Sequence, residues 1–200
     1  MQERFFETIR IEDGNVAHLP YHQRRFERTS GLDLDLSSFI SPPKEGVYRC
    51  KLIYDSKQIL EVVYYRYKRR QLATLKLQEI DFEYEKKYLD RSNIDRVFEQ
   101  RGECDDVLMI KDSLIQDTSI ANVAFFNSKE WLTPKKPLLY GTTRQRYIDA
   151  GIIQEADIGV DMLSGFTKIA FMNAMIDFVI MSLEKINKDT LRVNEYNERL

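Results

Sequence analysis

Apolar and polar positions alternate through the first third of the chain. Phe5 to Ile11 alternates and predicts a strand, Glu12-Asp13-Gly14-Asn15 a turn with Asp-Gly as its hairpin signal, and Val16 to Leu19 a short returning strand. Pro20 then opens a helix, where its missing N–H costs nothing. Tyr21 to Ser30 carries His22, Arg25, Phe26 and Thr29 at helical spacing, and Gly31 ends it. Leu/Asp alternation followed by Ser41-Pro42-Pro43-Lys44 predicts a loop over residues 31–45. From Gly46 to Tyr54 the alternation is clean, with Tyr48, Cys50, Leu52 and Tyr54 on one face and Arg49 and Lys51 on the other. Asp55-Ser56-Lys57 turns the chain, Gln58 to Tyr67 returns as a strand, and Ala73 to Ile80 follows as the third strand of an antiparallel meander. Residues 1–82 are therefore expected to form a small α+β domain.

The remainder, 83–200, is expected to form a larger domain. Ser92 caps a helix from Asn93 to Arg101, with Ile94, Val97 and Phe98 as its apolar stripe and Gly102 as its stop. Strands are predicted at Asp106–Ile110, Leu114–Gln116 and Asn122–Asn127, and a turn at Asn127-Ser128-Lys129-Glu130. A second helix starts at Thr142 or Thr143 and ends at Gly151. Phe166 to Ile180 is apolar with strand character at first, and Glu184 to Leu200 is polar, a surface or dimer-edge segment.

Composition narrows the function. A net charge of −2 over 200 residues gives no basic field for nucleic acid, and Arg66-Tyr67-Lys68-Arg69-Arg70 reads as a solvated connector. Two separated cysteines and two histidines argue against disulfides and against a metal site, and Cys50 falls in the buried row of its strand. No apolar run is long enough for a bilayer, and Met1-Gln2-Glu3-Arg4 lacks the apolar core of a leader, so a cytoplasmic chain is expected.

Three stretches carry chemistry. Lys86 and Lys87 offer an amine nucleophile, Asp117 an acid, and Gly141-Thr142-Thr143 the backbone N–H groups and hydroxyls of a helix N-terminus that suits a phosphate. Taken alone, the last is read first as an ordinary threonine cap on a helix. Arg25, in a helix row shared with His22, is a candidate anion ligand.

In this order the stretches resemble the class IV aminotransferase family, the fold-type IV pyridoxal phosphate enzymes. Phe6-Glu7-Thr8-Ile9-Arg10 is similar to the family's first strand motif. His22-Gln23-Arg24-Arg25-Phe26 is similar to its histidine-x-x-arginine helix. Lys87-Tyr88-Leu89-Asp90-Arg91 resembles the lyase form of the Schiff-base segment, as found in 4-amino-4-deoxychorismate lyase. Asp117-Thr118-Ser119-Ile120-Ala121-Asn122, Gly141-Thr142-Thr143-Arg144 and Met172-Asn173-Ala174 resemble the later motifs. The resemblance implies a two-domain α+β fold, with a small N-terminal α/β sandwich and a larger C-terminal domain built on a barrel-like sheet. It implies an N-terminally shortened chain. It also implies pyridoxal 5′-phosphate as cofactor and a homodimer acting on a small molecule. Lys87 would be the Schiff-base lysine, with Lys86 facing the other way. Arg25, Thr142, Thr143 and Asn173 would hold the phosphate, and Asp117, where the family has glutamate, would face the ring nitrogen. The reaction expected is release of 4-aminobenzoate and pyruvate from 4-amino-4-deoxychorismate. Transamination of branched-chain or D-amino acids is one alternative, and an inactive cofactor-binding relative is the other.

Overall fold

The computed structural model describes residues 2–195, which divide into two compact units. Their ranges differ from the 1–82 and 83–200 division expected: one unit runs to Arg69 and includes Tyr84–Arg91, and the other comprises Arg70–Glu83 and the chain from Ser92 onward.

The first unit is built on a hairpin. β1 (Phe5–Glu12) and the two-residue β2 (Asn15–Val16) are joined through Asp13 and Gly14, both at positive φ, the conformation a two-residue hairpin turn requires. Helix α1 (Leu19–Ser30) begins where a continuing strand was expected, because Pro20 sits in its first turn, and it stops at Gly31, which takes φ 73. A 3-10 turn over Leu36–Phe39 interrupts the expected loop, capped by the Asp35 side chain, which accepts from Ser37 N. β3 (Val47–Tyr54) and β4 (Ile59–Arg66) complete a sheet of order β2-β1-β3-β4. Its inner face carries Phe5, Ile9, Ile11, Cys50, Leu52 and Tyr54, packed with Phe26 and Leu36. Because β2 is so short, the N-terminal half of β1 lies open on that edge. Residues 87–89 fill it: Phe6 N donates to Lys87 O at 3.0 Å, and Leu89 N donates to Arg4 O at 2.8 Å.

The second unit centres on a curled nine-stranded sheet. Its elements are β5 (Thr74–Glu79), α2 (Ser92–Glu99), β6 (Asp106–Lys111), β7 (Leu114–Thr118), β8 (Asn122–Phe126), β9 (Trp131–Pro134), α3 (Thr142–Asp149), β10 (Ile153–Ala156), β11 (Lys168–Asn173), β12 (Asp177–Lys185) and β13 (Thr190–Glu195). The strand order is β10-β9-β8-β11-β12-β13-β5-β6-β7, and β7 packs back against β8 and β9. Two expectations are corrected. β5 is no meander partner of β3 and β4; it lies between β13 (antiparallel) and β6 (parallel), with Leu75 and Leu77 in the larger core. Much of Glu184–Leu200 is no surface tail: Leu191 and Val193 of β13 alternate into that core with Arg192 exposed, while residues 196–200 lie outside the described residues. The core holds Leu108, Ile110, Val123, Phe125, Ile169 and Phe171. On the other face Ala124, Ala170 and Met172 pack with Trp131 and with Tyr147 of α3. Among the described residues no helix is long and apolar enough to cross a membrane.

Candidate functional site

The expected site residues fall in both units. In the first, β1 turns a carboxylate inward: Glu7 shares its face with Phe5, Ile9 and Ile11 and is fully buried. Two residues of α1, one helical turn apart, meet it. Arg25 Nε donates to Glu7 Oε1 at 2.8 Å and Arg25 Nη2 to Oε2 at 2.5 Å, a bidentate fork, while His22 Nδ1 lies 2.6 Å from Oε2. Burial alone would raise the Glu7 carboxyl. The Arg25 charge and the hydrogen bonds from His22 and Arg25 outweigh it and hold the group at about 2. Burial lowers His22 below its usual range against the pull of Glu7, and the charges of Arg25 and Lys87 add to the lowering. His22 is thus neutral at pH 7, with Nδ1–H on Glu7 and Nε2 as an acceptor. The charge of Arg25, the expected anion ligand, is thus already balanced by Glu7. The Nη1 side of the guanidinium lies outside the fork.

Sequence reading did not single out Glu7. The available signal was a carboxylate in the inward row of a strand, facing a helix row that holds both histidine and arginine.

Lys87 and Lys86 face opposite ways, following β1. Lys87 is half-buried with Nζ 4.7 Å from the centroid of Phe6; Lys86 is exposed with Nζ 5.4 Å from that of Phe5. The Lys87 backbone is fixed by its bond from Phe6 N, and Tyr84 Oη donates to Tyr88 O one residue on.

In the second unit Asp117, at the end of β7, ties down the chain ahead of α3. Its Oδ1 accepts from Asn122 Nδ2 at 2.8 Å and its Oδ2 from Leu139 N at 2.9 Å; Asn122 Nδ2 also reaches Leu139 O at 2.8 Å. Burial raises the Asp117 carboxyl to about 6 against these bonds and the Arg144 charge, so it remains largely ionised at neutral pH. Asn122, which closes the motif that begins at Asp117, was given no role of its own in the sequence reading.

Thr142 and Thr143 open α3 and are buried. Gly141 at the N-cap makes no side-chain cap bond, so no capping side chain covers the first-turn N–H groups. Asn173 reaches the loop after Asp117, with Nδ2 donating to Ile120 O at 3.1 Å. Its Oδ1 accepts from Met175 N and Ile176 N in the β11–β12 turn. Arg144 is occupied structurally, donating to Pro134 O and Glu155 Oε1.

The glycine at 141 is a steric requirement, since a Cβ there would fall inside van der Waals contact of Asn122 Oδ1. Gly141→Ala is expected to push the Asn122 amide off Asp117 and lower stability by roughly 1–3 kcal/mol, read as a drop in Tm. An unchanged Tm would show that the amide gives way freely.

Residues 89–182 match the family model described as amino-transferase class IV. The chain is 36% identical over 184 residues to an uncharacterised protein of Haemophilus influenzae, spanning 85% of this chain and 96% of that one. A crystal structure from Haemophilus somnus, provisionally assigned as a 4-amino-4-deoxychorismate lyase, matches with a TM-score of 0.80 at 29% identity, over 88% of this chain and 97% of that one. A hypothetical aminotransferase of Mycobacterium tuberculosis in its pyridoxal phosphate-bound form shares the fold, with a TM-score of 0.70 at 17% identity over 89% and 80% of the two chains. The chain belongs to the class IV aminotransferase family, whose members are pyridoxal phosphate enzymes, and pyridoxal 5′-phosphate is its cofactor.

The donors present fit that group. A lysine amine suits its aldehyde, a buried carboxylate its ring nitrogen, and an uncapped helix N-terminus approached through glycine its phosphate.

Proposed function

We propose that this chain is a lyase that converts 4-amino-4-deoxychorismate to 4-aminobenzoate and pyruvate, a step in folate precursor synthesis. The observation that carries the reading is the placement of Lys87. It is half-buried over Phe6, in a segment resembling the lyase form of the family's lysine motif. The 29% identical neighbour with its provisional lyase assignment supports the same choice.

Bound pyridoxal phosphate supplies an electron sink for the bond that breaks in the substrate. Lys87 would hold the cofactor, and its free amine would take a proton from the substrate ring and return one to the enolpyruvyl methylene. The C–O bond to the ring breaks, pyruvate leaves, and the ring becomes aromatic. The products together are isomeric with the substrate, so no oxidant or co-substrate is needed. Asp117 would meet the ring nitrogen with its charge, one methylene shorter than the family's glutamate. The N–H groups and hydroxyls of Thr142 and Thr143, with Asn173, would hold the phosphate, and the Nη1 side of Arg25 would offer it a cationic donor. The reading also carries a homodimer.

One assay separates the lyase from a transaminase. Incubated with branched-chain, D- or aromatic amino acids, the holoenzyme should keep its absorption band, and it should form pyruvate from 4-amino-4-deoxychorismate. Rapid conversion of the band by an ordinary amino acid, with no pyruvate formed, would make it an aminotransferase. Neither activity in a protein that binds the cofactor would make it an inactive relative.

A further inference from the structure

Two lysines of the first unit meet on one ring. Phe6 lies on the outer face of β1, with Thr8 two residues on. Across the sheet Thr8 pairs with Lys51 of β3. Lys51 Nζ lies 5.2 Å from the centroid of Phe6, and Lys87 Nζ lies 4.7 Å from the same centroid. The two distances bound the separation of the ammonium groups at about 10 Å. Lys51 is half-buried, and among the described residues no carboxylate forms an ion pair with it.

Like charges gathered on one apolar ring repel each other and lose hydration, so the arrangement suits a site that receives an anion. We propose that Lys51 binds a carboxylate of the substrate whose amine reacts at Lys87, an inference that rests on Lys87 being the reacting lysine. A bound of about 10 Å accommodates an amine and a carboxylate set on opposite sides of a six-membered ring, as in 4-aminobenzoate, or on one carbon, as in an α-amino acid. The competing account is that the Lys51 stem only covers Phe6 while its ammonium stays in water. A methionine would cover the ring equally well, and the two accounts part at that substitution.

The test titrates the holoenzyme with 4-aminobenzoate, its uncharged analogue 4-aminobenzamide, and D- and L-alanine, following the cofactor absorption band. In Lys51→Met the affinity for 4-aminobenzoate should fall tenfold or more, the loss expected of one charge-assisted hydrogen bond. Affinity for the amide and for cofactor should hold, and Lys51→Arg should keep most of the carboxylate affinity. Lys51→Gln serves as a second uncharged variant should the methionine form fold poorly. Equal 4-aminobenzoate affinity in the wild type and both uncharged variants would overturn the assignment. So would parallel losses for acid and amide. If the wild type binds alanine and not 4-aminobenzoate, the lyase reading fails, and Lys51 is judged by the same tenfold criterion on alanine. A wild type that binds no carboxylate would overturn Lys51 as well.

Discussion

Lys87→Ala is expected to lower turnover by roughly a thousandfold or more, the loss that follows when one group supplies both covalent attachment and proton transfer. Borohydride treatment of the wild type should fix the cofactor to a peptide modified at Lys87, and the variant should take up no covalent label. Lys86 is the internal control. It is the neighbouring amine, but it is exposed and directed over Phe5, the opposite side of the strand from Phe6. Lys86→Ala should therefore keep both the absorption band and the activity. Label recovered at Lys86, or turnover surviving in Lys87→Ala, would move the chemistry to another amine.

The second large effect is on stability, and it belongs to Glu7. Removing one partner of a buried ion pair strands the other charge, so Glu7→Ala, which leaves Arg25 buried without its carboxylate, should cost about 3–5 kcal/mol in denaturant unfolding. Acid pH does the same thing reversibly. The Glu7 carboxyl lies at about 2 in the folded chain against an ordinary 4.5, so between these values the unfolded state binds more protons than the folded state. Its contribution is complete above about pH 4.5, declines as pH falls, and is lost near pH 2, on the order of 3 kcal/mol in total. Other carboxyls add their own acid slopes, so the informative quantity is the difference from Glu7→Gln, which keeps an acceptor for Arg25 and cannot titrate. Parallel stability–pH curves for wild type and Glu7→Gln would show that the pair contributes nothing to acid sensitivity. The pair also limits what Arg25→Ala can report. That substitution strands Glu7, so loss of cofactor has to be read beside a melting curve.

What the sequence made legible was local. Pro20 and Gly31 bound α1 because each acts on its own backbone, and Asp13-Gly14 marked its hairpin for the same reason. Strand partners were less accessible. The alternation of β5 states which side chains point inward and says nothing about which neighbour pairs with it, and β13 hid its two buried positions, Leu191 and Val193, among charges. In the site, Lys87, Asp117, Thr142 and Thr143 were named from motif order. Glu7 was quoted within a motif but given no role, because its role appears only when partners distant in sequence arrive: His22 is 15 positions from Glu7 and Arg25 is 18.

The short β2 strand has a consequence for how the chain can be cut and how it is made. The edge of β1 that β2 leaves open is closed by residues 87–89, after the chain has already supplied β5 to the other unit. Cleavage anywhere between residues 70 and 83 would therefore leave the strip held to the first sheet by non-covalent contacts alone, and its loss would expose strand groups that template association with other chains. On the ribosome, β1 waits for nearly eighty further residues before that edge is covered, so its completion is a long-range event in folding.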